Sequence, residues 1–363
     1  MARDLQRIVV VGAGLSGLAA ARSLVDRGHQ VVVFDKGRAP GGRASTRRES
    51  AHRSFDHGAQ FFTARGAWLT SRLDAWEKEG VVRPWAPRIE AEEGPAVTSA
   101  NRDSACKREA WWVGTPGMGS VAAHLARGLD VRTGSTVMSL RRAHDEWRIT
   151  GATAAAERGE PVQGFEHVYD ALIVSVPAPQ CVALLGEAIA SSELGRHAAD
   201  ARLEPCWAVM VALGTDGEAA ADLLTSEAAP LAWAAREASK PGRSVIEGED
   251  LWTLHASPSW SRAHLEADPL EVASVLAAAL VERLAVIDRR EGRRRPRAQV
   301  LRAAAHRWRY ARASSSPHLG CLHDEALDLA ICGDWLESAR VEGALTSGVA
   351  AATRLLDAAD SRS

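Results

Sequence analysis

Six residues near the N-terminus, Gly12-Ala13-Gly14-Leu15-Ser16-Gly17, form a G-x-G-x-x-G. This spacing suits a dinucleotide pyrophosphate. Gly12 permits a tight turn, Gly14 lets the backbone approach the phosphates, Gly17 allows close helix packing, and the helix N-terminus brings partial positive charge. The motif works only with a strand before it and a helix after it. Ile8 to Val11 is an apolar β-branched run, and Leu15 to Arg27 has helix composition with Gly28 as its left-handed stop. Gln30 to Phe34 reads as a second buried strand ending at Asp35, 18 residues past Gly17, where a carboxylate accepts a ribose hydroxyl. Strand, turn, helix and strand in about 30 residues make a βαβ unit, hence a parallel sheet with a right-handed crossover.

Three more clusters have glycines where a backbone must approach something closely: Pro40-Gly41-Gly42-Arg43, Asp56-His57-Gly58-Ala59-Gln60-Phe61-Phe62, and Gly333-Asp334 followed by Val341-Glu342-Gly343-Ala344-Leu345. The elements between them follow from periodicity. Residues 67 to 79 have helical spacing, Glu90 to Lys107 is polar and irregular, Trp111 to Val113 reads as a strand and Ser120 to Arg127 as a helix. Asp130 to Arg132, Thr136 to Arg141 and Glu146 to Thr150 read as an antiparallel meander, and Ala171 to Val176 as a further strand. Strands are expected at Cys206 to Leu213, Leu251 to Ala256, Gln299 to Ala303 and Leu329 to Cys332. A helix from about Pro269 to Ile287 places Val272, Val275, Leu276, Ala279, Leu280 and Leu284 on one face, and a last helix runs from about Gly343 to Ala359.

The composition excludes several classes. With 363 residues, 44 Lys+Arg against 46 Asp+Glu and 46% hydrophobic residues, the chain is globular, has room for two domains, and has no charge excess that would point to nucleic acid or a membrane surface. No apolar run is long enough to cross a membrane, and the N-terminus enters a strand without a cleavable leader, so a cytoplasmic location is expected. Cys106, Cys181, Cys206, Cys321 and Cys332 contain no C-x-x-C pair, which suits reduced thiols and no metal site. Six arginines between Arg289 and Arg297 read as a solvated loop. Twelve of the 19 aromatic residues are Trp, a demand for wide apolar surfaces that needs an explanation.

Taken together, VVVGAGLSGLAAARSL, DKGRAPGGRASTRR, DHGAQFF, VGTPGMGSVAAHLA, HASPSWSRAHLE, HRWRYA and CGDWLESARVEGALTSG resemble the bacterial renalase-like branch of the FAD-dependent amine oxidase superfamily. The resemblance implies an α/β, p-hydroxybenzoate-hydroxylase-like fold of two interleaved domains. A Rossmann-type FAD domain is expected over 1–80, 115–176 and 300–363, and an inserted α+β substrate domain over 81–114 and 177–299. It implies FAD contacts from Gly12, Ala13, Gly14, Ser16, Gly17, Asp35, Lys36, Gly42, Arg43, Gly58, Ala59, Gln60, Val137, Gly333, Asp334, Glu342, Gly343 and Ala344, with the helix start near Gly343 facing the flavin pyrimidine ring. Non-covalent FAD is expected, although Cys332 lies close to the flavin motif.

The activity implied is oxidation of dihydropyridine isomers of NAD(P)H, with hydride passing to flavin N5 and dioxygen then reduced to hydrogen peroxide. Such chemistry needs positioning and exclusion of water more than a nucleophile, and no Ser/His/Asp or Cys/His signature is evident. Gln60, Phe62, His306, Trp308, Arg309 and Trp335 are the expected pocket residues, with Arg309 placed to meet a substrate phosphate. An amine oxidase or desaturase acting on another small substrate shares the FAD motifs. Many such enzymes place a lysine near N5, and this chain has only Lys36, Lys78, Lys107 and Lys240, none of them in a segment expected there. A non-catalytic flavin-binding protein is the reading from another class.

Overall fold

The computed structural model describes residues 7–91, 110–154, 162–215, 219–227, 229–293 and 298–361. Cys106 and part of the Arg289–Arg297 cluster lie outside them. Arg7–Val11 sits at the centre of a six-stranded sheet in the order Leu322–Asp324, Leu329–Ile331, Ala171–Val174, Arg7–Val11, Gln30–Phe34, Asp130–Arg132. All neighbours are parallel except the edge strand Leu322–Asp324. Ile8, Val9 and Val10, with all of Ala171–Val174, are fully buried. That near-continuous apolar run is what a parallel sheet covered on both faces requires. Helix Leu15–Val25 packs on helix Val341–Ser361.

A three-stranded antiparallel sheet, Ser135–Ala143, Glu146–Thr153 and Gln163–Tyr169, shares a core with the parallel sheet through Phe34, Leu140, Trp147, Ile149 and Trp335. This corrects the expected meander. Asp130–Arg132 leaves it to pair in parallel with Gln30–Phe34, and Gln163–Tyr169 takes the third place. Trp147 is fully buried, and its indole N–H donates to the Leu327 carbonyl at 2.7 Å.

The chain divides into two units. Met1–Gly42, Val121–Leu203 and Arg312–Ser363 form the first, and Arg43–Ser120 with Glu204–Ala311 the second. Residues 43–80, 115–120 and 300–311, expected with the Rossmann piece, pack instead in the second unit, and 177–203 pack in the first. The physical reason for the difference at 300–311 is that Gln299–Ala313 is one 15-residue strand and not a strand ending at Ala303.

The second unit is built on a six-stranded sheet in the order Gln299–Ala313, Leu203–Gly214, Glu249–Ala256, Leu231–Arg236, Leu223–Thr225, Ile89–Ala91. Side chains alternate across it. Trp207, Val209, Val211, Trp252 and Leu254 point to one face, covered by helix Pro269–Arg290 through Val272, Ala273, Leu276, Ala277, Leu280 and Val281. Asp268 caps that helix, its carboxylate accepting from Leu270 N at 2.8 Å, and Pro269 follows in the first turn. The buried stripe is rotated from the one expected: Val275 is 46% exposed, and Ala273, Ala277 and Val281 take its side. The alternate residues, Met210, Leu251, Thr253 and His255 among them, point to the other face, where segment 54–62 lies.

Candidate active site

In the first unit the glycine turn has the geometry its spacing calls for. Gly12 adopts φ +109°, its N–H donates to Phe34 O at 2.8 Å, and a side chain there would run into the Ser175 carbonyl. Gly14 is the extended N-cap of helix Leu15–Val25, with open space where a side chain would stand. The second glycine cluster lies along this turn. Gly41 N donates to Ala13 O at 2.8 Å, Gly41 bridges Gly14, and Gly42 sits beside the Gly14 Cα. Asp35 is spent partly within the turn: one carboxylate oxygen accepts from Ala13 N and the other from Gly37 N, each at 2.6 Å. A carboxylate has about four acceptor positions, so capacity for a ribose hydroxyl remains. Lys36, next in the chain, is exposed.

Ser16 Oγ and Trp335 Nε1, two of the buried polar atoms of this unit without hydrogen-bond partners, fit a bound polar group. Gly333 N donates to Ser347 Oγ at 2.9 Å, which holds the Gly333-Asp334 corner against helix Val341–Ser361. Glu342, Gly343 and Ala344 fall in that helix's first turn, where the dipole favours negative charge, and Ala344 N donates to Arg340 O at 3.0 Å. The side chains of Val137 and Trp335 both belong to the apolar core, and Trp335 is 1% exposed. Cys332 is fully buried, and burial pushes its thiol up to about 11, far from a reactive thiolate.

In the second unit the Asp56–Phe62 segment is pinned from several sides. Ala59 N donates to Arg43 O at 2.8 Å, and Gly58 passes so close to that carbonyl that any side chain would collide. The Arg43 guanidinium donates to Ala311 O at 3.1 Å. Beneath lies a cluster of charged residues that sequence reasoning missed. Asp56, Glu237, Lys240 and Arg243 have side chains at most 1% exposed. Lys240 Nζ donates to Gln60 Oε1 and Glu237 Oε2 at 3.0 Å and to Asp56 Oδ2 at 3.4 Å, so all three of its donors are used. Arg243 pairs with Asp56, Thr46 Oγ1 and Met118 N donate to Asp56 Oδ1, and the Gln60 amide donates to Asp56 O. Burial alone would raise the Asp56 carboxyl, but Lys240 and Arg243 outweigh it and hold it below the ordinary carboxylate range. Two carboxylates face two cations, so the site is charge-balanced. The only sequence signal was charge inside glycine-rich motifs.

His306 and Trp308 come together as expected, with ring centroids 4.3 Å apart, and they share His57 as a third member. The His57 ring lies 5.0 Å from each, and Trp308 Nε1 donates to His57 O at 2.8 Å. Burial, with His306 and Arg47 nearby, lowers His57 to about 4, and burial first of all lowers His255 to about 4. Both rings are neutral at pH 7. Arg309 is on the wrong side for the phosphate role. Strand alternation that points His306 and Trp308 to one face sends Arg307 and Arg309 to the other, where both pair with Glu266 at 2.6 and 2.8 Å.

The aromatic pocket residue is also one place away from expectation. Phe62 is 3% exposed, its backbone bridged to Trp112, while Phe61 stacks on Trp111 at 4.0 Å and on Trp233 at 5.7 Å. Trp85 joins at 5.7 Å from Trp111. Trp233 lies directly across from His255 on the neighbouring strand, so the Trp/Phe stack and the histidine set occupy the same face of the sheet. Among the described residues, no group of three His, Cys, Asp or Glu side chains is arranged to hold a metal ion, and no helix is long and apolar enough to cross a membrane.

Comparison with known proteins agrees with this geometry. Residues 10–74 match the NAD(P)-binding Rossmann-like domain family. A phytoene desaturase (neurosporene-forming) of Cereibacter sphaeroides is 36% identical over 114 residues, 30% of this chain and 22% of the relative. An L-amino acid oxidase of Bothrops pictus is 51% identical over 43 residues, 12% of this chain and 9% of the relative. The aligned part thus spans about a fifth of the phytoene desaturases. Among solved structures, putrescine oxidase bound to putrescine superposes with a TM-score of 0.68 at 12% identity, covering 97% of this chain and 99% of the other. The chain has the fold of the FAD/NAD(P)-binding, amine-oxidase-like oxidoreductases. Cyclohexylamine oxidase from Brevibacterium oxydans shows the same fold, with a TM-score of 0.66 at 14% identity over 98% of this chain and 99% of that one.

Proposed function

We propose that the protein is an FAD-dependent oxidoreductase whose glycine turn in the first unit binds the dinucleotide. The observation that carries this reading is the docking of Gly41-Gly42 along the Gly12–Gly17 turn, with Asp35 bonded to the same turn. It suits a flavin dinucleotide better than a nicotinamide one, because the second glycine segment doubles the backbone available to the phosphates. FAD, when bound, supplies the hydride acceptor and hands the electrons to dioxygen, giving hydrogen peroxide.

The chain's own residues bind, orient and exclude water. The N–H groups at the start of helix Leu15–Val25 and the Ser16 hydroxyl would hold the pyrophosphate, Asp35 would accept from the ribose, and Asp334 with the first turn of helix Val341–Ser361 would serve the flavin end. Within the second unit, Arg43, Gly58, Ala59 and Gln60 stand together, Gln60 being held by Lys240 and the Asp56 carbonyl. Phe61, Trp111, Trp233 and Trp308 present flat apolar surface to a planar donor. Neutral His57 and His306 leave no strong base there, which suits hydride transfer from a ring that needs no proton removed.

The donor favoured by the whole set of motifs is a dihydropyridine isomer of NAD(P)H. A second reading, a primary amine or a desaturable chain, draws on the relatives and superposed structures, which include amine oxidases and desaturases, and it fits at least as well. Lys240 is the one residue that bears on the choice, and its three N–H donors are all occupied within the buried cluster. Peroxide release on adding 2- and 6-dihydroNAD(P), putrescine or cyclohexylamine to the FAD-loaded protein distinguishes the readings. Release with none of them, or failure to retain FAD, leaves the protein without the activity proposed.

A further inference from the structure

Two of the chain's five cysteines meet across the edge of the first unit's sheet. Strands Leu322–Asp324 and Leu329–Ile331 run antiparallel with Leu322 opposite Ile331, so the next position of the register sets Cys321 opposite Cys332. The position beyond is closed as well: Ser347 Oγ accepts from Gly333 N at 2.9 Å and donates to Gly320 O at 2.5 Å. The cysteine pair is therefore held between a strand rung and a serine-bridged one. Cys332 N donates to Val174 O on the neighbouring strand, so its N–H points away from Cys321. In an antiparallel ladder this marks a non-hydrogen-bonded pair, in which opposed Cα atoms stand about 4.5 Å apart. A disulfide accepts Cα separations of about 4.4 to 6.8 Å.

The two side chains share a face. Leu322 and Ile331 belong to the core that holds Trp147, so alternation turns Cys321 and Cys332 to the opposite face, toward helix Val341–Ser361. Ala350 of that helix lies beside Gly320, and the charge of its Arg354 is felt at the Cys321 thiol. The Cys321 thiol is in turn felt at Cys332. Both thiols are free. Cys332 is fully buried and Cys321 only partly so, which makes Cys321 the one a small oxidant reaches first.

We propose that Cys321 and Cys332 form a redox modification site, closed by hydrogen peroxide into a cross-strand disulfide that clasps the edge of the sheet to the strand leading into Gly333-Asp334. Peroxide oxidises the Cys321 thiol to a sulfenic acid and is itself reduced to water. The Cys332 sulfur then displaces the hydroxyl group, the S–S bond forms, and the hydroxyl leaves with the Cys332 thiol proton as a second water. Two thiols and one peroxide give one disulfide and two waters. Burial pushes both thiols up to about 11, so closure is slow, and the disulfide once made has poor leaving groups and resists reduction. That suits a durable clasp better than a rapid switch. The inference stands apart from the proposed activity, because added peroxide closes the site whether or not the protein makes its own.

The test uses the FAD-loaded full chain, reduced, desalted and exposed to hydrogen peroxide. After denaturation the free-thiol count should fall from five to three. The tryptic peptide 313–340 contains both cysteines and should be lighter by two hydrogens, and cleavage after Glu325 should give pieces that part only on reduction. The oxidised protein should unfold at least about 2 °C higher, since closing the loop restricts the unfolded chain. Cys321→Ser should keep all four of its thiols under the same treatment and show no rise. Cys332→Ala should leave a Cys321 sulfenic acid that dimedone captures. Five thiols remaining in the parent, a link through Cys106, Cys181 or Cys206, or an unchanged or lower unfolding temperature overturns the proposal.

Discussion

Replacing Lys240 by Met removes one cation from a buried set of four charges. The Lys240 side chain is fully buried, with three acceptors at 3.0, 3.0 and 3.4 Å, so no water takes its place. Asp56 and Glu237 then face Arg243 alone, and one negative charge is left uncompensated in the interior. Breaking a buried pair from one side costs about 3 to 5 kcal/mol. With a urea m-value of about 3 kcal/mol per M, that moves the unfolding midpoint down by about 1 M or more. The test of the mechanism is the second substitution. Glu237→Gln keeps an acceptor for Asp56 N and Thr253 Oγ1, now at 3.1 and 2.6 Å, and restores charge balance beside Lys240→Met. The double variant should regain at least about 1.5 kcal/mol over Lys240→Met alone, a coupling within the range for groups in one network. Tryptophan fluorescence during urea unfolding reads it directly. A loss below about 1 kcal/mol for Lys240→Met, or a double variant less stable than the single one, would refute charge balance as the reason this cluster holds.

Other outcomes follow from the same geometry. His57 and His255 are held near 4, below the free imidazole value, so the unfolded chain takes up protons first as pH falls. The stability they contribute is whole above pH 6.5 and is lost between about 6.5 and 4, by roughly 3 kcal/mol per ring, which a denaturation series across that range measures. His57→Phe should flatten part of that slope. Arg309→Ala breaks only a surface pair with Glu266, so KM and kcat should stay within about twofold of the parent in a peroxide assay. Asp35→Ala should weaken FAD binding by about 1.5 to 3 kcal/mol, and because Asp35 also holds Ala13 N and Gly37 N, it should lower stability as well, checked by flavin titration and thermal unfolding.

What was legible in the sequence was local. Gln30–Phe34 has the predicted bounds, and helices Ala67–Lys78 and Val341–Ser361 lie within two residues of theirs, because glycine turns and apolar periodicity act over a few residues. The pairing of Asp56 with Lys240 joins residues 184 apart, and no local pattern encodes it. Phe62 was chosen where Phe61 faces the stack, a one-residue slip that turns a side chain to the opposite face of an extended segment. The tryptophan excess resolves by place. Trp207 and Trp252 fill the helix-covered side of the second unit's sheet, Trp147 and Trp335 fill the first unit's core, and Trp85, Trp111 and Trp233 stack around Phe61.

The FAD-loaded protein is expected to be reduced by a small planar hydride donor. Anaerobic mixing of the FAD-loaded protein with 2- or 6-dihydroNAD(P), followed by absorbance near the flavin maximum, tests it most directly. Rapid bleaching that reverses when air is admitted is the predicted result. A visible spectrum unchanged by these isomers but bleached by a primary amine would contradict it and establish the amine oxidase reading in its place.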